Sequence, residues 1–291
     1  MHSGAGKDDR QNQQPKPDDW SGDRGLKWLA NLSLIEQMIA PIGDSLLDRA
    51  DFRQGETVID LGCGGGATTL AIAETVAASG KVTGVDISPD LIAAARERAD
   101  KGGATNVEFV HADAASVVLP EAPYDRLFSR FGSMFFPEPA KAFSHLHGLL
   151  KKGARMDLAV WGPPRDNPWM TEMMGVVRNH VEVPPAVPRA PGPFAFEDMD
   201  YLRDIMDNSG FTGLDVAAYE GLQPIGGIGA TPEKAAEFAL AALAIGQLLS
   251  DSDDAVRKAA KAELTEVFAN NHSPDRGVLM PGKVWLVSAI A

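Results

Sequence analysis

The sequence predicts an α/β fold built on a parallel sheet, and three observations carry that reading. Strand-like and helix-like segments alternate through the first half of the chain, which implies parallel strands joined by right-handed helical crossovers. One of these strands, Val58–Leu61, runs straight into a glycine loop and on into a helix. The chain has 291 residues, 44% of them apolar, enough to bury a substantial core in one large domain.

Residues 1–19 are rich in Gln, Asp, Lys and Pro, have little to bury, and read as a mobile tail. From Trp20 to about Ala50, Trp28, Leu29, Leu32, Ile35, Met38 and Ile39 recur at near-helical spacing and predict one or two amphipathic helices. Thr57–Leu61 is the first strand and Ala67–Ala78 the first crossover helix. Lys81–Asp86 is the second strand. Pro89–Lys101 is a helix capped by Ser88, with proline in its first turn where the missing N–H costs nothing. Val107–His111, Arg126–Ser129 and Ala154–Trp161 follow as strands, with a helix near Pro139–Leu150. The alternation then gives way to a proline-rich stretch over 162–195 with a short helical patch. Phe196–Asn208 reads as a helix, Leu214–Tyr219 as a strand, 231–249 and 252–270 as helices, and Lys283–Ile290 as a closing strand. The domain is therefore read as 20–291, with cap segments 20–50, 162–200 and 223–281 around the core.

Composition excludes several functions. With 27 Lys and Arg against 40 Asp and Glu, the formal net charge is −13, which argues against nucleic acid and against anionic lipid as partners. From Phe196 onward there are 15 acids and 7 bases. The single cysteine, Cys63, leaves no intrachain disulfide framework and no cysteine zinc site, so no metal is expected. No run of 18 apolar residues exists and no export signal is visible, so a cytoplasmic protein with no membrane contact is expected.

The chemistry points to the glycine loop. In Asp60-x-Gly62-x-Gly64-x-Gly66 an acid stands two residues before the first glycine. Glycines let the backbone approach a ligand closely and take positive φ, and the N–H groups at the helix start favour a negative group. A buried acid beside a pyrophosphate would repel it, whereas it suits a ligand carrying an ammonium group. Asp86 ends the second strand 26 residues after Asp60, where a carboxylate can accept both hydroxyls of a ribose. Asp113, after the third strand, is placed to accept an adenine amino group. The plain alternatives are a tight strand–helix turn for the glycines, a solvated strand end for Asp86 and a solvated loop acid for Asp113.

With these residues in view, the sequence resembles the class I S-adenosylmethionine-dependent methyltransferases, and within them the small-molecule branch around the ubiquinone/menaquinone-type enzymes. The resemblance rests on VIDLGCGGG at 58–66, VTGVDIS at 82–88, VHADA at 110–114, YDRLFSRFGSMFF at 124–136 and LLKKGARMDLAVW at 149–161. It implies a Rossmann-like, seven-stranded, mostly parallel sheet with helices on both faces, helical cap insertions and an antiparallel last strand. It implies S-adenosyl-L-methionine as cofactor, with Asp60, Gly62, Gly64 and Gly66 around its methionine part. Asp86 and Ile87 are then placed at ribose and adenine, Asp113 and Ala114 at the adenine edge, and Ser129 where the amino group and the acceptor meet.

The fourth strand lacks the Asn/Asp-Pro-Pro-Tyr signature of many nucleic-acid and protein methylating enzymes and reads Ser129-Arg130-Phe131-Gly132 instead. Arg130 is expected near the cofactor carboxylate or an acidic acceptor, or else in a structural ion pair. Methyl transfer from a sulfonium needs orientation above all, and a base only for an acceptor with a high pKa. His180, in the insertion after the fifth strand, is the first candidate base, against a plain surface role. Met170, Met173, Met174 and Val177 share one helical face and read as core packing or as the roof of an apolar pocket. A small, largely apolar acceptor is expected, with an RNA or protein methyltransferase, or a binding protein without transfer activity, as alternatives. The chain is expected to be a monomer or a homodimer.

Overall fold

The computed structural model describes residues 20–291; the expected tail, 1–19, lies outside the described residues. In chain order the elements are helices α1 (Asp23–Ala30) and α2 (Leu32–Ala50), strand β1 (Thr57–Leu61), α3 (Ala67–Val76), β2 (Lys81–Asp86), α4 (Pro89–Gly102), β3 (Val107–His111) and β4 (Tyr124–Arg130). They continue with α5 (Pro139–Gly148), β5 (Leu150–Trp161), α6 (Pro168–His180), α7 (Met199–Asn208), β6 (Thr212–Pro224), α8 (Pro232–Ala242), α9 (Ala244–Leu248), α10 (Asp254–Asn270), β7 (His272–Ser273) and β8 (Gly277–Ile290).

The sheet runs β3-β2-β1-β4-β5-β8-β6, with the two-residue β7 paired to β8 off this path. The pairs among β1 to β5 are parallel, and β8 lies antiparallel between β5 and β6. This is the expected seven-strand arrangement with an antiparallel last strand. β1 and β2 are almost wholly buried, as strands covered on both faces must be. The reversal of strand order between β1 and β4 opens a crevice at their C-terminal ends, where ligands bind in open α/β sheets.

Local chemistry sets the helix starts. Ser88 Oγ accepts the Leu91 N–H at 3.4 Å, with Pro89 opening α4. Thr231 caps α8 and Asp253 caps α10 in the same way. Several boundaries differ from expectation, among them the starts of β4 at Tyr124 and β5 at Leu150. The helix expected from Phe196 begins at Met199, because Asp198 accepts from the N–H groups of Asp200 and Tyr201. The helix expected over 231–249 is split at Leu243, whose extended backbone (ψ 163°) separates α8 from α9. Strands β6 and β8 are also longer than expected, since their antiparallel pairing continues to Pro224 opposite Leu279. Glycine and proline in that stretch mask the alternation.

Helix α2 turns Ile35, Met38, Ile42 and Leu46 into the core. Behind it, fully buried Asp157 accepts from Arg126 at 2.9 Å, Arg155 at 2.8 Å and Ser288 at 2.7 Å, tying β4, β5 and β8 together. Breaking such a buried network would cost several kcal/mol, ~3–5 in comparable cases. Among the described residues no helix is long and apolar enough to cross a membrane.

Candidate active site

The glycine loop is positioned by both strands beside it. The N–H groups of Gly62 and Cys63 donate to the Val85 carbonyl at 2.8 and 3.2 Å, binding the exit of β1 to β2. Gly62 has φ 65°, and a Cβ there would lie 2.6 Å from the Gly132 Cα. Because the obstacle is backbone, only glycine fits. Gly66, at φ 81°, forms the N-terminal boundary of α3. Cys63 is buried, and burial raises its thiol pKa well above the ordinary value, so it is a packed side chain and no activated nucleophile.

Asp86 organises the facing wall. Its Oδ2 accepts the Gly64 N–H at 2.8 Å and its Oδ1 accepts the Ser88 N–H at 2.9 Å. Burial raises its pKa, and these backbone bonds oppose the rise. A carboxylate oxygen has about two acceptor sites, so each still has one to offer. Ile87, 42% exposed, lies beside it. Asp113 is exposed, and its Oδ1 accepts the Ala115 N–H at 2.9 Å. Gly62, Gly64, Asp86, Ile87, Asp113 and Ala114 line one cavity of about 380 Å³.

Three expected residues stand behind that wall. Asp60 is 1% exposed. Its Oδ2 accepts from Thr68 at 2.7 Å and Thr69 at 2.6 Å, while its buried Oδ1 has no partner. Burial raises its pKa to about 6, opposed by the two threonine hydroxyls and by the charge of Arg130. Asp60 thus acts on the cavity as a charge beneath the loop. Ser129 is fully buried and donates to the Leu61 carbonyl at 2.9 Å. Gly66 shapes the helix start without reaching the cavity wall.

Arg130 does reach the wall, from the end of β4. Helix α2 leaves room for it with Gly43: a Cβ there would lie 2.6 Å from a guanidinium nitrogen. Burial pulls its pKa down, and the carboxylates of Asp60, Glu36 and Asp44 pull the other way. The guanidinium makes no hydrogen bond or close ion pair among the described residues, so it faces the cavity with its donors uncommitted.

His180 is not brought to the cavity. It ends α6, where its Nε2 lies 2.8 Å from Glu263 of α10. Of the methionine face, Met170 lines the cavity, while Met173 and Val177 are fully buried in the core.

The other half of the cavity was not anticipated residue by residue. Phe131 stacks on Trp161 with centroids 4.5 Å apart and planes 10° from parallel, and Trp161 lies 4.9 Å from Trp169. Phe131 holds φ 65°, a conformation that costs a bulky residue of order 1–3 kcal/mol and persists only where its surroundings enforce it. Ile35, Met38 and Ile39 of α2, Pro193 and Leu243 complete an apolar wall. Trp161 sits in one of the sequence motifs, but no local pattern pairs it with Phe131 and Trp169.

Residues 52–161 match the family model described as a methyltransferase domain. Aklanonic acid methyltransferase DauC of Streptomyces sp. (strain C5) is 32% identical over 120 residues, covering 41% of this chain and 54% of the relative. Ubiquinone/menaquinone biosynthesis C-methyltransferase UbiE of Escherichia fergusonii is 26% identical over 185 residues, covering 58% and 71%. The chain spans about half the length of the first curated relatives it matches. The YcgJ protein of Bacillus subtilis superposes with a TM-score of 0.55 at 18% identity, over 85% of this chain and 97% of its own, a likeness of fold.

Proposed function

We propose that this chain, whose segment 52–161 matches a methyltransferase domain, is a class I S-adenosylmethionine-dependent enzyme that methylates an O, N or C atom of a small, largely apolar molecule held under its cap segments. The observation that carries the reading is one cavity lined both by the polar Asp86, Asp113 and Arg130 and by the apolar Phe131, Trp161, Trp169 and Met170.

The residues present fit S-adenosylmethionine. Asp86 offers one free acceptor site on each oxygen, as two ribose hydroxyls require, and Ile87 gives the adenine an apolar face. Asp113 Oδ2 is free to accept the adenine amino group. Arg130, with uncommitted donors, suits the carboxylate. The unpartnered Asp60 Oδ1 beneath the loop favours a cation above it. When bound, the cofactor supplies an activated methyl group on a sulfonium.

The protein then has to orient and to exclude water. Phe131, Trp161 and Trp169 present flat apolar surface to a ring, and Met170 can adapt to its outline. Residues from 20–50, 162–200 and 223–281 contribute to the lining of the cavity. Alignment of this kind supplies ~7–11 kcal/mol when the reacting atoms are held near attack geometry. No His, Lys or Tyr lies in the described wall, so the best-served acceptor has a nucleophile that ionises readily, such as an acidic enol or phenol. The acidic late segments and the apolar wall favour a small molecule over RNA as partner.

Thermal melts with S-adenosylhomocysteine and with NAD test the cofactor. Ligand at about 100 times its dissociation constant stabilises the fold by ~2.7 kcal/mol, and a shift with NAD alone overturns the assignment. Transfer of labelled methyl to a panel of phenolic and enolic acceptors tests the reaction. Binding without transfer to any acceptor would identify a cofactor-binding protein instead.

A further inference from the structure

The acid expected beside the cofactor's ammonium group, Asp60, has one oxygen committed to two hydroxyls and the other enclosed. Another carboxylate stands on the cavity wall. Glu36, on cap helix α2, lines the cavity, and a Cβ on Gly65 of the glycine loop would lie 3.3 Å from its Oε1. Leu32, one turn earlier, covers the same glycine. Glu36 is held from behind by Arg98 of α4, with Nη1 to Oε1 at 2.8 Å and Nη2 to Oε2 at 3.0 Å. This two-pronged geometry fixes the plane of the carboxylate. It also leaves acceptor capacity on both oxygens.

The charges around the loop agree. Arg130 lines the same cavity, and Glu36 acts on it through space. An amino acid carries one charge of each sign. A cavity that offers an uncommitted guanidinium and a carboxylate near one glycine loop is matched to it.

We propose that Glu36, held in place by Arg98, receives the α-ammonium group of the cofactor, so that α2 closes on the cofactor through a ligand of its own. The inference rests on the cofactor assignment above. Arg98 is a positioning residue, since it touches Glu36 and leaves the ligand to it. Because Ile35, Met38 and Ile39 of the same helix form acceptor wall, cofactor binding then also sets the acceptor pocket.

The test compares two ligands that share adenosine and sulfur but differ in the amino-acid end: S-adenosylhomocysteine and 5′-methylthioadenosine, by calorimetry. Glu36→Gln keeps the shape and one bond to Arg98. It is expected to weaken S-adenosylhomocysteine roughly ten- to hundred-fold, the range for a hydrogen bond to a charged group, and to leave methylthioadenosine within about two-fold. Arg98→Ala should show the same selectivity, with Arg98→Lys recovering part of it. Should Glu36→Gln fail to fold, Arg98→Lys carries the test by the same ratio of affinities. An unchanged ratio overturns the proposal, because a structural ion pair would affect both ligands alike. Failure of wild-type protein to bind S-adenosylhomocysteine would instead remove the cofactor assignment.

Discussion

Asp86 offers the sharpest test of the cofactor site, because it does two things that a ligand pair can separate. It ties Gly64 and Ser88 through their N–H groups at 2.8 and 2.9 Å, and each oxygen retains an acceptor site. Hydrogen bonds to a charged acceptor are worth about 1.5–3 kcal/mol each, and two to one carboxylate do not add fully. Asp86→Ala should therefore cost about 3 kcal/mol of S-adenosylhomocysteine affinity, a little over a hundred-fold in Kd. The same substitution also releases the glycine loop. A 2′,3′-dideoxy analogue of the ligand isolates that second effect, because it has no hydroxyls for Asp86 to accept. Calorimetry of both ligands on both proteins gives the coupling between carboxylate and ribose. We expect most of the loss to disappear with the dideoxy analogue. If Asp86→Ala weakens both ligands equally, Asp86 only organises the loop and the ribose assignment is wrong. Asp86→Asn should fall between, since its single carbonyl oxygen must leave one of the two backbone donors facing an NH2 group.

Two further outcomes follow from the same geometry. Burial lifts Asp60 from 3.8 to about 6, so between those pH values the native state holds a proton that the unfolded state has lost, and the stability this group contributes falls as pH rises through that window by roughly 3 kcal/mol; urea unfolding of Asp60→Asn against wild type should show the variant gaining by that amount from about pH 4 to pH 7, and a pH-independent difference would refute the linkage. Met170→Trp places a larger ring in the apolar half of the cavity and should raise the KM for the acceptor several-fold with S-adenosylhomocysteine affinity within about two-fold; equal losses in both would place Met170 in the core alone.

The legible parts of the site were those set by local sequence. Gly62, Gly64 and Asp86 are fixed by strand-to-helix turns at the ends of β1 and β2, so their spacing along the chain carries their geometry. Asp60 was legible as a residue, but its threonine partners were not: Thr68 and Thr69 lie on the following helix, and nothing in their spacing says that both will donate to one oxygen. Arg130 could be placed at the cavity because it ends a strand. His180 could not, because its surroundings depend on how α6 packs against α10, a contact 83 residues away in sequence. Glu36 was invisible for the same reason. Its role depends on Arg98, 62 residues later, and in the sequence it is one more polar residue on an amphipathic helix.

The division of the cavity explains why the comparisons reach the cofactor and stop short of the acceptor. The matched segment ends at residue 161 and contains Asp86, Asp113, Arg130 and the glycine loop. Much of the apolar wall lies outside it: Ile35, Met38 and Ile39 before, and Trp169, Met170, Pro193 and Leu243 after. Phe131 and Trp161, beside the ends of β4 and β5, belong to both, as do Met134, Phe135, Phe136 and Pro137. Proteins can therefore share the segment and differ in acceptor, and the relatives named for aklanonic acid and for ubiquinone/menaquinone biosynthesis do carry different names on the same domain. On the proposed function, acceptor choice in this chain follows from the lining residues outside the matched segment together with the Phe131–Trp161 stack. Exchange of those outer lining residues should alter which molecule is methylated and leave cofactor affinity, assigned in the proposal to Asp86 and Arg130, unchanged.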